Sequence, residues 1–403
     1  MMTRRLPVML AAMMVAAALP AARGTAAARG QERGAIVATA ARAAMTRYHL
    51  KAIVVRVTSN GRNLYTGALG DSMNGVPASP QMHFRNGAMA FTYMGFMLME
   101  FVDLKKVKLD ERLSTFFPTL PFADRITLKN LANMTSGYAD YVYQPEVLDG
   151  ITLDPFRHWS SDQLIKIGVS KPLMFAPGTN WGYSHTNYVI LGRVLEKIAG
   201  MPLDRAMQRY VFGPMGLTQT FGFDTPQIPA PVLHSYSSER REQLRIPAPL
   251  PLYEESTFWD PSWTTATGAV EVTDIADMTR SMEIVGEGSL LSAAAHAAEV
   301  GANLAGFGHR DPKCPVCRQN TRDGMNYGLG VVNVGPWITQ TKNFAGCGGT
   351  AGYLPSRKLA ISVVTTYAPA AFDGEGNYKN ASEAIFASLA ALLAPGTLPS
   401  LPL

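Results

Sequence analysis

The chain has 403 residues, of which 47% are hydrophobic and 17% are charged, enough to form one large domain or two closely packed lobes. The net charge of +5 is mildly basic. The densest basic run, at residues 105–108, is short enough to be a solvated helix end, so a nucleic-acid partner is not expected.

The N-terminus has the pattern of an export signal, assigned to residues 1–28. Arg4 and Arg5 precede an apolar run at residues 6–19, and the small residues at 26–28 form a cleavage site, with residues 22–24 as an alternative. The run is shorter than the roughly 20 residues of a membrane span. We therefore predict a secreted or periplasmic mature protein with no membrane span after cleavage. An uncleaved anchor is the alternative.

The next segments predict a helix, a hairpin and a buried helix. Residues 34–48 are Ala-rich with helical propensity. The β-branched run at 52–58 is followed by an Asn-Gly turn at 60–61, after which residues 63–70 return as the second strand. Residues 91–102 are apolar nearly all round, which indicates a helix buried on every side.

The second half predicts a helix at residues 188–199 closed by Gly200 and a Pro-rich loop or lid at 221–262. Thr273 is the predicted N-cap of a further helix. Residues 327–334 and 360–366 have strand composition, with 346–353 as the link between them. An Ala-rich helix at 381–393 would pack on the sheet.

Three cysteines are present: Cys314, Cys317 and Cys347. Cys314 and Cys317 have metal or redox spacing, but two cysteines do not make a zinc site and no nearby βαβ pattern favours a thioredoxin fold. In an oxidising compartment one disulfide with one thiol left over is expected. The spacing does not decide which pair forms.

Several short motifs carry a resemblance to a known family. In chain order they are Gly87-Ala88-Met89-Ala90-Phe91, Thr135-Ser136-Gly137, Tyr183-Ser184-His185 and Gly346-Cys347-Gly348-Gly349. Together, across residues 34–393, they resemble the serine β-lactamase and penicillin-binding-protein superfamily, in its class C β-lactamase and esterase branch.

The resemblance implies an α/β fold of the α+β sandwich type, with an antiparallel sheet flanked by helices and a mostly helical lobe. The single domain would span residues 29–395. Its sheet lobe would comprise 34–70 and 265–393, its helical lobe about 71–264, and 396–403 would be a tail.

The family nucleophile pair is missing. A Ser-x-x-Lys motif works because residues i and i+3 share one helix face, so the amine can take the hydroxyl proton. Here Ala88 and Phe91 stand in those places, none of the twelve lysines has a serine three residues before it, and no Gly-x-Ser-x-Gly elbow is present. Loss of nucleophile and base costs a factor of about a million in a comparable enzyme. Acyl-serine turnover is therefore not expected.

Other residues keep or replace family positions. Tyr183 matches the family tyrosine; without a lysine its pKa should stay near the ordinary value of about 10, which makes it a neutral donor. His185 stands where the family has Asn, either to move protons or to fill space. Cys347 and Gly348 occupy the third motif and, with Ala88 and Phe91, are predicted ligand contacts. A disulfide from Cys347 to Cys314 or Cys317 is favoured over a nucleophilic thiol.

Three functions remain open. The first is a binder of a small molecule or peptide that forms no acyl-enzyme and uses no cofactor or metal. The second is a repurposed isomerase, lyase or cyclase acting on a hydrophobic substrate, with Tyr183 and His185 as acid and base. The third, a hydrolase that activates water directly, lacks a metal cluster or paired carboxylates in the sequence.

Overall fold

A computed structural model describes residues 26–222, 224–301 and 303–398. Most of the predicted export signal, residues 1–25, lies outside them. The strands are β1 Leu50–Ser59, β2 Arg62–Met73, β3 Val76–Pro77, β4 Phe84–Arg85, β5 Phe221–Gly222, β6 Tyr236–Ser237, β7 Glu254–Glu255, β8 Glu271–Thr273, β9 Met325–Tyr327, β10 Val332–Val334, β11 Trp337–Phe344, β12 Cys347–Leu354 and β13 Leu359–Tyr367.

The helices are α1 Ala26–Arg47, α2 Met89–Asp103, α3 Leu128–Ala132, α4 Pro145–Leu153, α5 Ser161–Val169, α6 His185–Ala199, α7 Leu203–Met207, α8 Gly213–Met215, α9 Ile275–Glu287, α10 Ala293–Val300 and α11 Ala381–Leu393. A π-helical segment, Gln208–Phe212, joins α7 to α8. None of the helices in the described ranges is both long and apolar enough to cross a membrane.

An antiparallel sheet of eight strands organises the molecule, in the order β3-β2-β1-β13-β12-β11-β10-β9. Helices α1 and α11 pack on one face, and α9 packs on the other, against β1, β12 and β13. One apolar core lies between the sheet and α1 and α11, and a larger one extends from the opposite face into the helical part. This is the predicted combination of an antiparallel sheet, flanking helices and a helical lobe.

Several predicted elements form as expected. Asn60 and Gly61 have positive φ angles of 51° and 69° and turn β1 into β2. Helix α2 buries nearly every position, and α11 spans the predicted residues. Gly200 ends α6 with a φ of 67°.

Other boundaries differ from the sequence prediction. Helix α1 begins at Ala26 rather than at residue 34. Asp274, not Thr273, caps α9, because its side chain accepts the backbone N–H of Asp277 whereas Thr273 ends β8. Residues 346–353 are not a link: Cys347–Leu354 form the inner strand β12 between β11 and β13. The glycines at positions 348, 349 and 352 of this strand lie close under neighbouring side chains.

The predicted strand at residues 327–334 is interrupted between β9 and β10. The backbone there approaches α2, where the hydroxyl of Thr92 donates to the carbonyl oxygen of Gly330 at 2.8 Å. A Cβ added at Gly95 would lie 2.0 Å from the carbonyl oxygen of Leu329. Close helix packing therefore breaks the strand into two short pieces.

Candidate active site

The turn into α2 forms one wall of the site. Gly87 has a φ of +57°, and a Cβ on it would lie 2.9 Å from the Cβ of Lys342. Only glycine adopts this conformation freely and permits so close an approach to β11. Ala88 follows at the start of α2, where the family serine would stand, and carries only a methyl group.

Phe91 fills the place of the family lysine. It is 1% exposed, and its ring stacks on that of Tyr188 of α6, with centroids 4.1 Å apart and planes at 15°. Its centroid lies 6.0 Å from that of Tyr183 and 5.8 Å from that of His185. The aromatic contact ties α2 to α6 where a proton-transfer amine would otherwise sit.

A cavity of about 270 Å³, here called the cleft cavity, opens between these elements. Ala88, Phe91, Tyr183 and His185, predicted from separate motifs, all line it. Its remaining lining residues are Gly87, Val142, Trp263, Thr264, Thr341 and Asn343. The structure therefore brings four of the six predicted site residues into one place.

His185 has a carboxylate partner that sequence reasoning missed. Its Nδ1 lies 2.8 Å from Oδ2 of Asp140, and the Asp140 side chain is only 2% exposed. The other oxygen of Asp140 accepts the backbone N–H of Val142 at 3.0 Å, which fixes the carboxylate. Because a carboxylate accepts, Nδ1 donates, and Nε2 of a neutral ring is left as an acceptor. The only sequence signal was that Asp140 closely follows the Thr135-Ser136-Gly137 loop.

Tyr183 is kept protonated by its burial, in addition to the predicted absence of a neighbouring lysine. Burial raises its pKa well above the ordinary value, and the nearby Tyr327 and Asp140 raise it further. This direction differs from the expected ordinary pKa, and it favours the protonated phenol, whose role as a neutral donor stays a prediction. Tyr183 is suited to donating a hydrogen bond, not to accepting a proton.

Cys347 and Gly348 are not among the residues that line the cleft cavity, and their role as ligand contacts stays a prediction. The hairpin pairs Phe344 with Cys347 and places β12 inside the sheet, so β11 borders the cavity through Thr341 and Asn343. A Cβ on Gly348 would meet Oδ1 of Asn380 at 2.2 Å, on the side of α11. A motif comparison cannot decide which of two hairpin strands lies at the cavity.

The disulfide joins Cys314 to Cys317, and Cys347 is a buried free thiol. The predicted pairing of Cys347 with either of the other two cysteines is therefore wrong. Cys347 lies in β12, whereas Cys317 forms a β-bridge with Gly182, directly before Tyr183. In the described ranges, no three His, Cys, Asp or Glu residues come together as a metal site.

A second cavity of about 310 Å³, the aromatic chamber, adjoins the cleft cavity and shares Val142, Trp263 and Asn343 with it. The rings of Trp263 and Phe344 are nearly parallel, at 18°, with centroids 6.1 Å apart. Its other lining residues are apolar or aromatic (Leu148, Ile151, Pro155, Trp259, Ala345) or polar (Thr152, Glu239, Arg240, Gln243, Asn377).

A family model described as Beta-lactamase matches residues 37–385. Among curated proteins, penicillin-binding protein 4 from Amycolatopsis lactamdurans is 30% identical over 183 residues, which are 43% of this chain and 45% of that protein. The chain thus spans less than half the length of this relative.

Solved structures resemble the fold over nearly their whole length. The D-stereospecific amidohydrolase from Streptomyces sp. has a TM-score of 0.69 at 19% identity, covering 83% of this chain and 94% of that chain. The D-amino acid amidase from Ochrobactrum anthropi SV3 complexed with D-phenylalanine has a TM-score of 0.72 at 17% identity, covering 89% and 99%. At these identities the likeness concerns the fold alone.

Proposed function

Because the chain belongs to the Beta-lactamase family but has Ala88 and Phe91 in the nucleophile and lysine places, we propose that it is an exported member that binds a small molecule or peptide without forming an acyl-enzyme. One observation carries this proposal. The turn at Gly87 holds a methyl group at the wall of an open cavity, and a stacked phenyl ring takes the place of the amine.

The rest of the cleft cavity offers no replacement nucleophile pair among the described residues. The hydroxyl of Thr264 donates to the carbonyl oxygen of Pro261 at 2.7 Å. On the bordering strand, the amine of Lys342 points to Cys347, at 2.8 Å from its sulfur. A hydroxyl activated by a neighbouring amine is thus missing from the part of the cleft that the structure describes.

The two adjoining cavities indicate the chemistry of the ligand. The aromatic chamber suits an apolar or aromatic group, which would pack on Trp263 and Phe344. In the cleft cavity Tyr183 offers a phenol donor and His185 a ring acceptor. We therefore expect a ligand with an apolar group at one end and a polar group, such as an amide or carboxyl, at the other.

Binding can be tested with a panel of aromatic acyl amides, cell-wall peptides and β-lactams. We expect at least one class to raise the melting temperature by an amount that increases with the logarithm of its concentration above Kd, without a covalent mass change. Ala88→Phe should abolish the shift, because its ring would occupy the cleft cavity. Ser388→Phe adds the same ring on the exposed face of α11 and should retain the shift. A panel without any shift, or equal binding by both variants, contradicts the proposal.

The pair of Asp140 and His185 favours a second candidate, acid–base catalysis on a hydrophobic substrate by an isomerase, lyase or cyclase. The carboxylate orients the ring through Nδ1, while Tyr183 donates a proton or hydrogen bond. A histidine that only filled space would not need a buried carboxylate partner at Nδ1.

The second candidate makes its own prediction for any turnover found with a ligand from the panel. His185→Ala should lower kcat by about 10²-fold to 10⁴-fold, the usual contribution of a positioned acid or base. Asp140→Asn should lower kcat and change its pH profile, because the ring loses its carboxylate partner. If His185→Ala and Asp140→Asn both leave turnover unchanged, acid–base catalysis by this pair is contradicted. If the wild type shows no turnover and these variants lose only ligand binding, the first candidate, a non-catalytic binder, is favoured.

A further inference from the structure

Lys342 and Cys347 form a buried pair in the core, on the neighbouring strands β11 and β12. Lys342 is 0% exposed and Cys347 is 4% exposed. The Nζ atom of Lys342 lies 2.8 Å from Sγ of Cys347 and 4.8 Å from the centre of the Phe84 ring. Within the described residues, Lys342 forms no ion pair with a carboxylate.

Two glycines make room for this pair. Gly87 and Gly349 lie against the stem of Lys342: a Cβ on Gly349 would be 2.6 Å from its Cγ, and one on Gly87 would be 2.9 Å from its Cβ. Gly349 is also the register partner of Lys342 across β11 and β12. The lysine is therefore held over the neighbouring strand with its amine at the sulfur.

The contact is too short for an ordinary hydrogen bond to sulfur. N–H···O bonds have heavy-atom distances of about 2.9–3.0 Å, and sulfur is larger than oxygen. A nitrogen–sulfur separation of 2.8 Å is instead close to the span of two single bonds through one bridging atom. An ammonium buried without a carboxylate is also costly, and a neutral linkage would remove that cost.

We infer that Lys342 and Cys347 are a covalent modification site, at which one oxygen atom from dioxygen bridges Nζ and Sγ. The amine loses one hydrogen and the thiol loses its hydrogen, while N–O and O–S bonds form. One O₂ is consumed. One of its oxygen atoms becomes the bridge, and the other leaves as water with the two hydrogens lost by the amine and the thiol: R–NH₂ + R′–SH + O₂ gives R–NH–O–S–R′ + H₂O. Nitrogen and sulfur each give up two electrons, and O₂ takes up four.

The bridge would fasten the cavity-bordering strand β11 to β12 near their turn. Thr341 and Asn343, which line the cleft cavity, flank Lys342 on β11. Reduction by a phosphine would restore the amine and thiol, with each of two phosphines taking one oxygen, one from the bridge and one from water. The site is thus a reversible, oxygen-dependent crosslink separate from the Cys314–Cys317 disulfide.

Peptide mapping tests the inference on the full-length folded protein. The protein is kept in air-saturated buffer, denatured with iodoacetamide without reductant, and digested with trypsin. We expect a peptide of residues 323–357, uncut after Lys342, unalkylated at Cys347, and heavier by one oxygen and lighter by two hydrogens. Phosphine treatment should restore cleavage after Lys342 and alkylation of Cys347. The intact disulfide in residues 314–318 shows that no reductant was present.

Variants provide the controls. Lys342→Met and Cys347→Ser should each abolish the modified peptide, whereas Lys129→Met, at an exposed lysine of α3, should retain it. The wild-type measurement does not depend on whether these variants fold. Quantitative alkylation of Cys347 with cleavage after Lys342 in the unreduced wild type overturns the inference. Oxygen added to Cys347 with Lys342 still cleaved also overturns it, because that product is a sulfenic acid without a crosslink.

Discussion

Neither a fluorescent penicillin nor a fluorophosphonate will label the wild-type protein, whereas Ala88→Ser/Phe91→Lys will form a covalent adduct. The turn at Gly87 keeps the backbone before position 88 in a left-handed conformation against β11. Residues 88 and 91 lie on one face of α2, so a serine and a lysine there would come within reach of each other. The double variant therefore restores both side chains of the missing nucleophile pair.

The expected size of the effect follows from what each side chain supplies. The labelling rate of the double variant should exceed that of Ala88→Ser alone by a factor of at least about 10², because a positioned base contributes about that factor. Labelling is measured by gel fluorescence and intact mass. Ala88→Ser/Phe91→Met is the matched control, since it removes the stack on Tyr188 without adding an amine. Labelling of the wild type would contradict the assignment of positions 88 and 91 as the family's serine and lysine positions. A double variant that folds but stays unlabelled would contradict it as well.

The free energy of unfolding should fall as the pH rises above the ordinary titration range of a carboxyl group, and Glu299→Gln should flatten that fall. Glu299 is 0% exposed, and neither of its carboxylate oxygens has a hydrogen-bond partner within the described residues. Burial raises the pKa of Glu299 well above its ordinary value. The folded protein therefore keeps this proton at a pH at which the unfolded chain, with a pKa of about 4.3, has lost it.

The sign follows from the proton count. Above the pKa of the unfolded chain the native state binds more protons than the unfolded state, so stability decreases with pH until the raised folded-state pKa is reached. One such proton corresponds to about 1.4 kcal/mol per pH unit. Urea unfolding at several pH values measures the slope. Glu299→Gln should match the wild type near pH 4 and exceed it progressively at higher pH, while exposed Glu242→Gln should leave the slope unchanged. A slope unaffected by Glu299→Gln would contradict this prediction.

The sequence predicted the family and the general fold, and both are confirmed. Its strongest local signals were the buried helix α2, the Asn60-Gly61 turn and the Ala-rich helix α11. Such elements follow from neighbouring residues, because hydrophobic periodicity and turn chemistry act over a few positions. The loss of the nucleophile pair could also be identified from the sequence, because the absence of a hydroxyl and an amine follows from the identities of residues 88 and 91.

Contacts between segments that are distant along the chain could not be predicted from the sequence. Asp140 and His185 are 45 positions apart, and their pairing at 2.8 Å depends on how the loop before α4 packs against the start of α6. The position of Cys347 depends on which hairpin strand borders the cleft cavity. A motif preserves the order of residues but carries no distance between segments.

By itself, the sequence determined that this is a β-lactamase-fold chain with a methyl and a phenyl group in place of Ser and Lys, because those facts reside in residue identity and local pattern. The tertiary structure alone decided the carboxylate partner of His185, the raised pKa of Tyr183, the disulfide pair, and the buried contact of Lys342 with Cys347. Each of these depends on burial and on distances through space, which arise only when separate segments pack together.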